Sequence, residues 1–295
     1  MIEARDLRKE YGDFTAVSGS TFSVEQGEVF GIIGPNGAGK TTTLKMLAGL
    51  LEPTSGDAVV AGYASDEREM RKRLGFLPEE SPLYEEMTPV SYLRFFADLY
   101  DVPRPVADDR IDETLSDLDL EHRERQLGDM SKGMKRKVAI ARSLINDPDV
   151  LIYDEPASGL DPLTTNYIIQ FTERLAAEGK TIVFSAHNLF HVESICDRVA
   201  IMNEGEIVAS GDLDALQQEY GETEYHVYTT VEVPESVQAN GRYRRVVDSM
   251  EAVEAIRADA EAAGGEIADI RTEESSLEEV FLNVAESGRG RQSEA

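Results

Sequence analysis

The chain has 295 residues, enough for one large domain or one domain with an appendage. Its 57 acidic and 29 basic side chains, 21 of them Arg, leave a formal charge of −28, which excludes the broad basic face that nucleic acid needs. With 41% hydrophobic residues a core is available, so an acidic, Lys-poor surface adapted to a high-salt cytoplasm is expected, a merely acidic mesophilic protein being the alternative.

The first twelve residues, MIEARDLRKEYG, lack the apolar core of a signal peptide, and no stretch approaches the ~18 consecutive apolar residues of a membrane span. The expectation is a soluble, cytoplasmic protein that acts at a membrane only through a partner. From residue 1 to about 211 strands and helices alternate. The apolar runs 29–33, 150–153 and 181–185 are continuous rather than alternating, which suits a parallel sheet covered on both faces. A helical insert over about 88–127 is interrupted by Pro103 and Pro105. Cys196 stands alone, which rules out an intramolecular disulfide and leaves a buried structural thiol as its expected role. Beyond Gly211 the composition shifts. A strand over 224–233, an Ala/Glu-rich helix over 250–263, a strand over 266–270 and a capping box at Ser276–Glu279 describe a small α+β appendage over 221–286. Leu277, Val280, Phe281 and Val284 share one face of its last helix. Residues 287–295 are expected to be a flexible, frayed tail.

Gly34-Pro35-Asn36-Gly37-Ala38-Gly39-Lys40-Thr41 fits G-x-x-x-x-G-K-[ST], directly after an apolar strand and before a helical stretch that begins at Thr42. Glycines let backbone N–H groups converge on phosphate oxygens, and the helix N-terminus adds positive potential. Lys40 then reaches the β- and γ-phosphates, and Thr41 offers a hydroxyl to Mg²⁺. A phosphate cradle by itself leaves kinase, GTPase and ATPase open.

Residues 150–156, Val-Leu-Ile-Tyr-Asp-Glu-Pro, form an apolar strand that ends in two adjacent carboxylates. Consecutive strand side chains point to opposite faces, so the two acids can divide the work. Asp154 is expected at Mg²⁺ through a coordinated water, and Glu155 at the γ-phosphate, orienting or deprotonating the attacking water. His187 follows the third apolar run, where a γ-phosphate sensor would stand. His122, His191 and His226 have no such placement.

Met130-Ser131-Lys132-Gly133-Met134 opens the helix 135–142, and with this segment the sequence resembles the ATP-binding subunit of an ABC transporter. The segment is similar to the family's LSGGQ signature in an S-x-G-M variant, with Ser131 as helix N-cap. The resemblance covers residues 1–214 and implies the P-loop NTPase fold of the ABC ATPases. That fold is α/β with a mainly parallel core sheet, a helical insert and here the α+β appendage. It implies ATP and Mg²⁺ as ligands, Tyr11 stacking on adenine, Ser131 and Gly133 completing the site of the opposite subunit, Ser158-Gly159-Leu160-Asp161 as the loop coupling the two sites, and His187 as the switch histidine. Glu79 stands where the family usually places a Gln that meets Mg²⁺ and the membrane partner, and Lys132 stands in place of one signature glycine. The ending Ser275-Ser276-Leu277-Glu278-Glu279-Val280-Phe281 is similar to ATPase subunits of drug, sodium or polysaccharide exporters.

The resemblance implies two copies closing head-to-tail around two MgATP molecules and moving the helices of a separate transmembrane permease on the inner face of the membrane. Two other readings are a non-transport ABC ATPase of DNA repair or the ribosome, and a P-loop small-molecule kinase. The first usually carries coiled-coil insertions or a second cassette, which this chain lacks, and its charge disfavours nucleic acid. The second does not account for Ser131–Met134 beside the Asp154-Glu155 pair.

Overall fold

Two long strands, β1 (Ile2–Tyr11) and β2 (Phe14–Val24), open the chain as an antiparallel hairpin in which Tyr11 faces Phe14 across a two-residue turn. β3 (Val29–Ile33) is buried at every residue and leads through the glycine-rich loop into α1 (Lys40–Leu47). β4 (Ser55–Val60) and β5 (Tyr63–Ala64) join the hairpin in a sheet of order β2-β1-β4-β5, antiparallel at each pairing. A short α2 (Arg68–Lys72) precedes β6 (Leu74–Leu77). The insert follows as α3 (Pro89–Leu99) and α4 (Arg104–Asp117). The chain then runs through α5 (Lys132–Leu144), β7 (Val150–Asp154), α6 (Pro162–Ala177), β8 (Thr181–Ala186), α7 (Leu189–Ile195), β9 (Arg198–Asn203) and β10 (Glu206–Asp212). The structure describes residues 1–186, 189–239 and 241–292.

The second sheet has the order β10-β9-β3-β8-β7-β6, with β9/β3, β3/β8, β8/β7 and β7/β6 all parallel. β3, β7 and β8 are buried at every position, as unbroken apolar runs require when both faces are covered. One core joins the two sheets through α1. Leu44, Met46 and Leu47 lie among Ile2, Leu7 and Val60 of the first sheet and Phe30, Ile32 and Ile152 of the second. Each such side chain contributes on the order of 1.5–3 kcal/mol by leaving water, and together they seat the start of α1 at the end of β3. Phe22 stacks on Phe30 with ring centroids 5.4 Å apart.

The insert is interrupted at its prolines, between α3 and α4. Thr88 caps α3 in a reciprocal box with Ser91, and α3 stops at Leu99 before either proline is reached. Pro103 is the N-cap of α4, and Pro105 lies in its first turn, where a missing N–H costs nothing.

The chain divides into two compact units, Met1–Gly211 and Asp212–Ala295. In the second, α8 (Leu213–Tyr220) begins with Asp212 accepting the Ala215 N–H at 2.8 Å. It belongs with the appendage, so residues 213–220 are an integral helix of that unit rather than a connector. β11 (Thr223–Thr229), β12 (Val237–Ala239), β13 (Arg242–Val247), α9 (Met250–Ala262), β14 (Ile267–Glu274) and α10 (Leu277–Gln292) complete it. Its sheet order is β12-β13-β11-β14, and its core gathers Val227, Val233, Val253, Ile256 and Ala260. β12 and β13 carry no continuous or alternating apolar pattern and escape a sequence reading. Ser276 and Glu279 form the reciprocal cap of α10, with Leu277, Val280 and Val284 buried behind it. α10 continues to Gln292, through most of the stretch expected to be a frayed tail. Neither Gly288 nor Gly290 ends it, because a glycine only weakens helix propagation by about 1 kcal/mol.

Candidate functional site

The glycine-rich loop is shaped by two close approaches. Gly39 is the N-cap of α1 with φ 103°, and a Cβ there would stand 2.6 Å from the Ala16 carbonyl oxygen. At Gly34 a Cβ would meet the Met202 carbonyl oxygen at 2.3 Å. Any side chain at either place would push the loop off β2 or β9. With the loop seated, the first backbone N–H groups of α1 open toward its hollow, as an anion site requires. Lys40 is 6% exposed and donates back to the carbonyls of Gly34 at 2.9 Å and Pro35 at 3.3 Å.

A cavity of about 600 Å³ is lined by Asn36 to Thr42 of this loop, by Tyr11, Phe14 and Ala16 of the hairpin, and by Glu79, Glu155 and Ser158. Tyr11 and Phe14 are large apolar side chains left 51% and 62% exposed. They form an aromatic platform beside the cradle, suited to a flat heterocycle. Phe14 was missed by reasoning from the sequence, although its place opposite Tyr11 in a two-residue hairpin was the available signal.

The corner at the end of β7 is set by strand register. Parallel pairing of β7 with β8 puts Asp154 opposite Ser185. Ser185 Oγ donates to Asp154 Oδ1 at 2.6 Å and accepts the Glu155 N–H at 3.0 Å. Asp154 is 1% exposed and does not line the cavity, whereas Glu155 does. Their divergence does not come from strand alternation, because β7 ends at Asp154. Glu155 turns out of the strand in the left-handed region at φ 48°, a conformation that costs a non-glycine residue about 1–3 kcal/mol and persists only under restraint. That turn brings Glu155 Oε1 to 3.9 Å from Lys40 Nζ.

A second restraint was also invisible in the sequence. Arg136 of α5, 8% exposed, donates to the carbonyls of Asp154, Glu155 and Pro156 at 3.1, 2.8 and 2.7 Å, and to those of Pro78 and Glu79 at 2.7 and 2.9 Å. Burial lowers its pKa to about 10, the Tyr153 and Asp154 side chains opposing that shift.

Ser131 caps α5 through its Oγ, which accepts the Met134 N–H at 3.2 Å, so its hydroxyl hydrogen remains able to donate. Gly133 lies against Thr164 at the start of α6. Neither residue lines the cavity that holds Lys40 and Glu155. Asp161 caps α6, and the Thr164 hydroxyl and N–H that it accepts hold its carboxyl below the usual range. The Cys196 thiol lies beside Gly31 and is pushed up by burial, consistent with a structural role, although the residue as a whole is only partly covered. His187 lies outside the described residues.

Thr41, Asp154 and Glu79 are hard oxygen donors of the kind Mg²⁺ takes in small numbers, its remaining positions going to water and phosphate. Among the described residues no three His, Cys, Asp or Glu side chains form a cage of their own. No helix among them is long and apolar enough to cross a membrane.

Comparison with known proteins gives the same grouping. The ABC transporter family matches residues 17–158. The ABC transporter ATP-binding protein NatA of Bacillus subtilis is 39% identical over 74% of this chain and 92% of its own length. The Nod factor export ATP-binding protein I of Burkholderia orbicola is 39% identical over 73% of this chain and 72% of its own. Among solved structures, the dimeric bacterial ABC transporter cassette MJ0796 superposes with a TM-score of 0.65 at 26% identity, over 72% of this chain and 99% of that one.

Proposed function

From a chain that belongs to the ATP-binding proteins of ABC transporters, we propose an engine in which two copies close head-to-tail around two ATP molecules to drive an exporter. The protein is an ATP-binding, ATP-hydrolysing subunit that powers a membrane transporter. Export is the direction favoured by the role of the Nod factor export relative.

One separation within the chain supports the two-copy site. Lys40, Thr41, Glu79 and Glu155 share a cavity that Ser131 and Gly133 do not line, and those two stand at a capped helix start. A second copy turned head-to-tail would bring them to the γ-phosphate. MJ0796, a cassette of the same fold, has been solved as a dimer.

In the reaction, the loop N–H groups and Lys40 hold the phosphates, and the Tyr11–Phe14 platform holds the base. Glu155 accepts a proton from water as its oxygen attacks the γ-phosphorus. The bond from that phosphorus to the bridging oxygen breaks, and ADP leaves with the electron pair. Thr41, Asp154 and Glu79 would hold a Mg²⁺ ion, which would neutralise phosphate charge.

The permease is expected to dock beside Glu79 and the insert, where Tyr84, Phe95 and Leu99 are exposed at 54%, 39% and 62% and Tyr84 packs edge-on against Phe95. Such a cluster suits a partner helix on the cytoplasmic side. The −28 charge is read as adaptation to a salt-rich interior.

The test is Glu155→Gln with saturating ATP, followed by light scattering. A stable dimer that forms with ATP and dissociates without it is expected. A monomer at every ATP concentration would overturn the two-copy site. Phosphate appearing on a small-molecule acceptor instead of in solution would favour the kinase reading.

A further inference from the structure

Glu155 works from a strained backbone, and what holds that backbone is the question. Its N–H is accepted by Ser185 Oγ at 3.0 Å, and its carbonyl takes the Arg136 guanidinium at 2.8 Å. Arg136 comes from α5, the helix that Ser131 caps. Its five N–H donors meet five carbonyl oxygens. Three belong to consecutive residues 154–156 at the end of β7, and two to residues 78–79 after β6. These are the two segments that carry Glu155 and Glu79 into the cavity.

We propose that Arg136 is a positioning residue for hydrolysis, which clamps the Glu155 turn to the Glu79 loop and ties both to the helix that presents Ser131. A planar fork of five donors fixes five carbonyls at once, which no other side chain can do. Because α5 carries the segment meant for the neighbouring copy's ATP, movement at that segment is transmitted through Arg136 to the catalytic carboxylate of its own chain. The inference rests on Glu155 acting as read above, and the experiment separates the two.

The measurement is steady-state ATPase activity and ATP binding for Arg136→Lys, Arg136→Gln and Glu155→Gln. A displaced catalytic group costs roughly 100-fold in rate. Arg136→Gln, with two donors for five carbonyls, is therefore expected to lose about 100-fold in kcat while KM for ATP stays within about threefold. Arg136→Lys, with three donors, falls between it and wild type.

Wild-type kcat in Arg136→Gln would overturn the clamp, as would a KM that rises in step with the loss of kcat. If Arg136→Gln fails to fold, Arg136→Lys decides, and a kcat equal to that of wild type would overturn it. Wild-type hydrolysis by Glu155→Gln would remove the reading of Glu155. Wild-type hydrolysis by Arg136→Gln beside an inactive Glu155→Gln would remove only the clamp.

Discussion

Lys40 Nζ lies 3.9 Å from Glu155 Oε1, with the two side chains 7% and 10% exposed. At that separation the pair is a loose one, and the ammonium is held mainly by the carbonyls of its own loop. A triphosphate offers it shorter, charge-assisted bonds, each stabilising by about 1.5–3 kcal/mol. Lys40→Ala is therefore expected to weaken ATP binding by roughly 10- to 100-fold, measured by titration calorimetry. ATP affinity equal to that of wild type would place the lysine outside the cradle.

Glu155→Gln keeps the shape of the side chain and removes its basicity. ATP binding should be retained, and phosphate release should slow by roughly 10²- to 10⁴-fold, the usual contribution of a positioned base. A rate within a factor of two of wild type would show that another group takes the proton.

Ser185→Ala leaves Asp154 Oδ1 and the Glu155 N–H without their shared partner in a fully buried place. An orphaned buried polar group costs about 1–3 kcal/mol, so the first unit should melt at a lower temperature. Hydrolysis should fall as well, because one restraint on the left-handed Glu155 backbone is gone. Unchanged melting and unchanged kcat would mean that Ser185 is incidental.

The net charge of −28 predicts a salt response. The surface pairs Arg73–Asp149 and Lys72–Glu69 are more than half exposed on both sides, and ion pairs of that kind contribute little. Relief of self-repulsion should therefore outweigh their screening as the Debye length falls from about 10 Å at 0.1 M to about 3 Å at 1 M. The midpoint of thermal unfolding should rise steadily in KCl toward molar concentrations. A midpoint highest in dilute buffer would end the high-salt reading.

Local features were legible because their causes are local. The strand, loop and helix around Lys40 are contiguous, Ser131 meets Met134 within one turn, and Ser276 and Glu279 cap each other across three residues. The interruption of the insert was legible at Pro103 and Pro105, because a proline unfit for a helix interior is accepted where a new helix starts.

From the order of its residues alone this protein could be read as a phosphate-binding P-loop ATPase with two carboxylates in waiting, since motifs spaced along one stretch carry their chemistry wherever that stretch goes. Folding decided what no local pattern encodes. Arg136 sits in a basic run, Lys135-Arg136-Lys137, that reads as a solvated face, yet it is buried because the ends of β6 and β7 arrive over it. Asp154 and Ser185 meet only through the pairing of β7 with β8, and Glu155 leaves the strand only because neighbours distant in sequence hold it there. Burial and register depend on which segments of the chain come together, and that is settled by the packing of the whole unit.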